Sequence, residues 1–593
     1  MADGEVPLNS AEVTRTPCPI RLARYLETKR VRSRAPCRNC AVQVYLLCCL
    51  LELQDAARRC TVWTASKASQ KVKLRPCPSE ALSKMSRMTA ASQCRSKVRQ
   101  VATPLRACSL KAAVEKTGSK VKRGTIASNS KCYPKLAGLH PQVMRDTDVS
   151  LHRKVDSGEA PGVISVVLRR GILAHMDSYG YADLERQVPM RPDTIVRLYS
   201  MTKSIISVAL GICIEEGLLQ LTDPVCKFIP AFAAAKIKSE DGLAQTAAVD
   251  KPLTVLHLLT HTSGIGYGPM LGDEPGCEAE ERFLPLIERA GLGRTSPGDA
   301  RAVKSLQHWC EELARIPLLH QPGTEWLYSY SHDVLGRIIE VVTRTRLDIF
   351  VEERITQPLG MVDSGFQIPR DKWHRTAAMY RLHEQDGQKP KLVRIDAPSV
   401  DCNEWMVGNA SPILSGGGSV DSMTGGMVST AADYARFCLM LLGKGELEGR
   451  RILKPETVDF LCSNQLPRAS GRDETWAFGT PGVGFGPVGS VSVSHPLLDQ
   501  ALRAGEYGWG GMAGTAWTND PQEDFVLLSF SLVAFDLSTE EVLRAGVRKA
   551  ISEFQKEAAQ RRLCWLRRCR RYRVECVKRR LCSHHEGFRA PHS

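Results

Sequence analysis

The residues best placed for chemistry are Ser200 and Lys203, in the stretch RLYSMTKSIISVALGICIEEGLLQLTDPV at 197–225. Three residues apart on a helix, the two side chains stand one turn apart on the same face, so the ammonium can reach the hydroxyl. The serine would sit at the helix N-terminus, where the dipole and the unpaired N–H groups favour negative charge. A lysine held out of water can serve as a base, and such a pair is an activated nucleophile. The pattern is short, however, and Ser119 with Lys122 and Ser128 with Lys131 repeat it. Serine is also a common N-cap, and a lysine can snorkel its charge to water. The spacing alone leaves both readings open.

The elements around the pair favour a dry site. Ile205, Ile206, Val208, Ala209, Leu210 and Ile212 make the run apolar on nearly every face, as in a helix that belongs in the interior. Gly217 ends it, and Asp223-Pro224 marks the next turn. Upstream, GVISVVLRRGILAHMDSYGYADL reads as strand, turn and strand about Arg169-Arg170-Gly171. TVLHLLTHTSGI predicts a short helix stopped at Ser263-Gly264. SHDVLGRIIEVVTRT predicts an amphipathic helix with Val334, Ile338, Val341 and Val342 on one side. STAADYARFCLMLLGKG predicts another, capped by Ser429 or Thr430 and stopped by Gly443. Residues 270–310 read as a surface insertion and 465–506 as Gly-rich loop. GTAWTND and DFVLLSFSLVAF then read as paired strands, followed by a helix over about 539–559. Strands, helices and strands again predict an α+β fold: an antiparallel sheet flanked by helices, with the terminal strands in one sheet and a helical lobe inserted between them.

Charge divides the chain of 593 residues into three. Residues 1–140 hold 27 Lys and Arg against 8 Asp and Glu; residues 554–593 hold 12 against 3; the body between them is acidic. We therefore expect a basic, Cys-rich, mostly disordered extension over 1–139, with one helix near 41–59, a catalytic body over 140–553, and a basic tail over 554–593. Seven cysteines scattered through the body show no disulfide spacing, which fits a reducing compartment. The cytoplasm is the simplest location, with organelle targeting by the extension as the alternative. Cys37 and Cys40 form a lone CxxC without a second pair, so no metal is expected. The apolar run AVQVYLLCCLLEL is 13 residues long, short of the roughly 20 that span a bilayer. The tails carry no RNP-like aromatic pattern, finger spacing or zipper, so no nucleic-acid partner is expected for the body.

Five blocks in order carry a more specific signal: LYSMTKSIISVALGICIEEGLLQLTDPV, LTVLHLLTHTSGI, QPGTEWLYSYSHDVLGRIIEVVTRT, TGGMVSTAADYARFCLMLL and YGWGGMAGTAWTNDP. Together they resemble the serine β-lactamase-related family, which groups class C β-lactamases, DD-peptidases and esterases of the same fold. The resemblance spans about residues 140–553. It implies that Ser200 is acylated, that Lys203 is its base partner, and that Tyr328 of Tyr328-Ser329-Tyr330 shuttles a proton to the leaving group. Tyr330 stands where the family often has Asn, a residue that helps hold a substrate amide; it is also a rival for the tyrosine role. Trp509-Gly510-Gly511 stands at the family's third motif, often Lys-Thr-Gly, and resembles the esterase branch. A lysine there supplies a cation for a substrate carboxylate, whereas an indole supplies no charge. The resemblance also implies an oxyanion hole from the N–H groups of Ser200 and Met512. His261 in LTHTSG would support the fold and not act as general base, and Gly425 and Gly426 would permit tight backbone near the site.

The expected function is a serine hydrolase that cleaves an ester or related acyl bond of a small molecule through a Ser200 acyl-enzyme, without a cofactor. The alternatives are a β-lactamase or DD-peptidase-type amide hydrolase, and a non-catalytic scaffold of the same fold.

Overall fold

The computed structural model describes residues 131–238, 246–267, 278–290, 292, 305–383, 390–396, 417, 426–466, 477–495 and 502–585. All belong to one compact unit, Lys120–Ser593. The helix expected near 41–59, the CxxC at Cys37 and Cys40, and Gly425 lie outside the described residues.

Eight strands form one antiparallel sheet: β1 (Gly162–Arg169), β2 (Ile172–Asp183), β3 (Val188–Pro189), β4 (Val483–Gly486), β5 (Gly489–Ser492), β6 (Tyr507–Gly511), β7 (Thr515–Asp520) and β8 (Phe525–Phe530). Their order across the sheet is β4-β5-β6-β7-β8-β1-β2-β3. The expected hairpin is β1–β2. Its turn places Arg170 at φ 56° and Gly171 at φ 68°, the double left-handed pair that suits the twist of a two-residue hairpin. The terminal strands share one sheet, as expected, and the first and last also pair directly: β1 lies beside β8, from Ile164 opposite Phe530 to Arg169 opposite Phe525.

Every residue of β1 and β8 is buried, so both sheet faces are covered. On one face α1 (Pro141–Asp156) and α8 (Ser538–His585) pack against each other and on the central strands. On the other, Ile164, Val166 and Leu168 of β1 and Val526, Leu528 and Phe530 of β8 join the large core that contains α2 (Thr202–Glu215). The helical lobe adds α3 (Val255–Leu259), α4 (Glu278–Arg289), α5 (Leu306–Leu313), α6 (Ser331–Thr343) and α7 (Ala431–Leu442). Thr430 caps α7 by accepting from Asp433 N–H, and Gly443 ends it.

Four expectations change. Residues 278–289 are not merely surface insertion, because Phe283 and Ile287, four apart on α4, are buried in the core. Residues 465–506 contain β4 and β5 rather than loop alone. Their glycines allow close neighbours: a Cβ on Gly486 would lie 2.8 Å from the carbonyls of Leu461 and Ser463. The helix in TVLHLLTHTSGI ends at Leu259, since His261 turns left-handed at φ 54°. The last helix does not stop near 559 but runs unbroken to His585.

Candidate active site

Ser200 occupies a single 3-10 turn, Tyr199–Met201, that feeds directly into α2. The turn begins with Tyr199 at φ 44°, a conformation that costs a non-glycine residue about 1–3 kcal/mol and persists only when its surroundings impose it. Those surroundings are visible. The Tyr199 ring is buried with Met512, Ala513 and Met379. Leu198 N–H donates to Met427 O at 2.9 Å, and Met427 N–H donates to Thr202 Oγ1 at 3.0 Å. Tyr434 Oη donates to Met201 O at 3.0 Å.

Residues 202 to 213 of α2 are all buried, the all-round apolar character read from its sequence. Its inward serines are matched by carbonyls of the β4–β5 turn: Ser204 Oγ donates to Val488 O at 2.6 Å and Ser207 Oγ to Pro487 O at 2.5 Å. Ser200 is not a helix cap, since no side-chain cap bond is made at the start of either the turn or α2.

Lys203 is 2% exposed and does not snorkel. Its Nζ donates to Ser200 Oγ at 3.3 Å and to Gly417 O at 2.5 Å. It also lies over two aromatic faces, 4.7 Å from the Tyr328 ring centroid and 5.7 Å from that of Tyr267. Gly417 N–H donates in turn to Asp333 Oδ1 at 3.0 Å. One glycine thus stands between the lysine and a fully buried carboxylate, its carbonyl turned to the first and its N–H to the second.

Tyr328 is half-buried, and its Oη makes no hydrogen bond among the described residues. The LTHTSG block holds the backbone on both sides of it. Leu327 N–H donates to His261 O at 2.8 Å, and Ser329 N–H donates to His261 Nδ1 at 3.2 Å. Because Nδ1 accepts, the ring proton is assigned to Nε2. Burial pushes the His261 imidazole well below its ordinary range, and the neighbouring His332 and Lys203 add to the effect. His332 is likewise driven down to about 3, first by burial and then by Lys203. His261 is therefore a neutral support for the tyrosine segment, the role the resemblance gave it.

The third motif approaches from β6. A Cβ on Gly511 would fall 2.2 Å from Leu198 O and 2.5 Å from Thr515 Oγ1, so only glycine lets this strand lie against the Ser200 turn. Met512, which follows, packs on Tyr199. The Trp509 ring lies 5.6 Å from that of Tyr328 and meets Phe485 edge-on at 5.2 Å. Gly510 faces less crowding, with Thr515 O at 3.3 Å from a built Cβ.

Ser200, Lys203, Tyr328, Trp509, Gly511 and Met512 are thus brought together. Tyr330 is instead held in an aromatic cluster: it is buried, stacks on Tyr267 at 4.6 Å, and meets Trp309 edge-on at 5.2 Å. Sequence reasoning missed Tyr267, Asp333 and Gly417, which surround Lys203, and the aromatic neighbours Trp326, Phe478 and Phe485. The Gly416-Gly417-Gly418 run was a signal for Gly417; Asp333 shows only as a charged residue at the start of an otherwise apolar helix face. Among the described residues, no group of His, Cys, Asp or Glu is placed to hold a metal ion, and no helix is long and apolar enough to cross a membrane. Seven described cysteines are unpaired.

The beta-lactamase family model matches residues 150–539. An uncharacterized protein of Mycobacterium tuberculosis is 33% identical over 403 residues, 66% of this chain and 90% of the relative. Esterase EstB of Burkholderia gladioli is 31% identical over 391 residues, 63% of this chain and 86% of EstB. Among solved structures, EstCE1, a hydrolase with promiscuous acyltransferase activity, superposes with a TM-score of 0.54 at 25% identity, covering 69% of this chain and 98% of its own.

Proposed function

Starting from the chain's membership of the beta-lactamase family, we propose that it is a serine hydrolase that cleaves carboxylic esters of small molecules through an acyl-enzyme on Ser200. The observation that carries this reading is the position of Lys203 Nζ, 3.3 Å from Ser200 Oγ and over the face of Tyr328, whose own hydroxyl has no hydrogen-bond partner among the described residues. Ser200 Oγ bonds to the ester carbonyl carbon and gives its proton to the Lys203–Tyr328 pair, which in its reactive form lacks one proton and so holds a neutral amine or a phenolate. The N–H groups of Ser200 and Met512 hold the resulting oxyanion. The C–O bond to the alcohol then breaks, and Tyr328 Oη returns the proton to the departing alkoxide. Water repeats the sequence on the acyl-enzyme and releases the acid. An alcohol in place of that water would give acyl transfer, the promiscuous activity named for EstCE1.

Trp509 sets the preference for esters. It presents an uncharged ring where a lysine would bind the carboxylate of a β-lactam or peptide, and Tyr330 is packed among aromatic rings instead of offering an amide. A fluorophosphonate probe should label the wild-type chain and not Ser200→Ala. The labelled enzyme should hydrolyse p-nitrophenyl esters faster than a chromogenic cephalosporin. Turnover of the cephalosporin alone would overturn the ester reading; absence of labelling on folded protein would leave a scaffold.

A further inference from the structure

Phe478 is an anomaly that neither the core nor the catalytic groups explain. It is 62% exposed, although large aromatic rings usually avoid water. It also sits in the left-handed region at φ 54°, ψ 21°, where a bulky residue is a genuine outlier. Exposure and backbone strain combined in one residue point to function. Its contacts say where. The Phe478 ring meets Trp326 at 4.6 Å and 63°, lies near-parallel to Trp509 at 5.9 Å and 20°, and stands 6.4 Å from Tyr328. Behind these rings Phe485 is 1% exposed and contacts both tryptophans, at 5.7 Å and 5.2 Å. A rigid buried ring therefore supports an exposed aromatic edge, which wraps the tyrosine assigned to the leaving group.

We propose that Phe478, with Trp326 and Trp509, forms a lip that binds the alcohol half of the ester and selects flat, neutral, apolar alcohols such as aryl alcohols. The inference rests on the ester-hydrolase reading for the identity of that half. The rings carry negative π-faces and no cation, so the lip disfavours anionic alcohols. It presents area for stacking rather than hydrogen bonds, so small aliphatic alcohols gain little from it. Because the lip surrounds Tyr328, its contacts bear on the group that departs. Phe478 acts here as a specificity-determining residue and takes no part in proton transfer.

The test uses the full-length protein. With the acetyl group held constant, 1-naphthyl acetate and methyl acetate are compared in wild type and Phe478→Ala. The ratio of kcat/KM for the naphthyl over the methyl ester should fall about five- to tenfold, the scale of one aromatic pair. In a second arm, 1-naphthol binding to Ser200→Ala is followed by quenching of tryptophan fluorescence; adding Phe478→Ala should raise Kd by a similar factor. An unchanged ratio together with an unchanged Kd would overturn the lip while leaving the hydrolase intact. Conversely, if the wild type cleaves neither ester but Phe478→Ala still weakens naphthol binding, the hydrolase reading fails and the lip stands. Phe478→Gly, which suits the left-handed backbone, should match Phe478→Ala in both arms; wild-type behaviour in the glycine variant would assign the effect to backbone geometry rather than the ring.

Discussion

Nζ of Lys203 lies over the ring of Tyr328, 4.7 Å from its centroid, while the tyrosine hydroxyl is buried without a hydrogen-bond partner among the described residues. The side chain is thus held by its ring and its backbone. Tyr328→Phe removes an atom with no such partner, so the folded state should lose no stability. Turnover should nonetheless fall by about 10²–10⁴, the range for a lost general acid–base group. Matched urea melts and ester kinetics check this; a large drop in stability would mean that the hydroxyl is structural.

Lys203→Met makes the complementary case. A methionine of similar volume removes the cation but leaves the Gly417 carbonyl and the buried Asp333 carboxylate without it, so the thermal midpoint should fall. Labelling of Ser200 by a fluorophosphonate, measured well below that midpoint, should slow by about 10²–10⁴. Retained labelling would assign the base to another group.

Gly511→Ala probes how closely β6 must approach. Its Cβ would meet the backbone carbonyl of Leu198 at 2.2 Å, and backbone cannot swing aside as a side chain can. We expect a loss of about 1–3 kcal/mol from overpacking, and a loss of turnover of about 10²-fold if the Ser200 turn shifts by about 1 Å. Gly510→Ala, with its nearest neighbour at 3.3 Å, should cost less on both counts. Equal effects in the two variants would dismiss the contact with Leu198.

The buried histidines set a pH dependence of stability. Burial, aided by Lys203, pushes His332 down to about 3, whereas an unfolded histidine takes its proton near 6.5. Between those values the unfolded chain binds more protons, so stability falls as pH falls through that window. From pH 7 to pH 4 His332 alone should account for about 3 kcal/mol. Asp433 acts in the opposite sense: burial raises it to about 6, so its contribution is greatest below pH 4 and is lost as pH rises to 6. His332→Gln keeps a donor near the position of Nε2, which bonds Ser207 Oγ, and removes the titration. Its stability, measured from pH 7 to pH 4 against wild type, should decline less steeply; parallel curves would show that His332 does not carry the effect.

Local pattern made most of this architecture readable. α2 announced itself because its apolar residues fill every face, and the β1–β2 hairpin because two apolar runs flank Arg170-Gly171. The spacing of Ser200 and Lys203 is likewise a local property of a helix. What escaped reading is what several distant segments build jointly. Gly417 becomes a partner of Lys203, and Asp333 of Gly417, only when three distant segments converge. Glycines in 465–506 suggested loop because sequence does not distinguish a flexible glycine from one crowded by a neighbouring carbonyl, as Gly486 is. Tyr330 looked like a site residue by its place in the motif, yet its ring stacks on Tyr267, a residue 63 positions earlier with no local sign of that role.

The seat of β8 between β7 and β1 has a consequence for synthesis of the chain. Arg169 pairs with Phe525, so the central strand must wait while roughly 350 intervening residues leave the ribosome. At about 5–20 residues per second this amounts to roughly 20–70 s during which the apolar β1–β2 hairpin has no partner on one edge. Strand edges exposed for that long invite aggregation, so nascent chains should depend on holding chaperones until residue 530 emerges. A premature stop between Tyr330 and Phe525 would leave the Ser200 turn and the tyrosine segment translated in full, yet without the strand that closes the sheet around them.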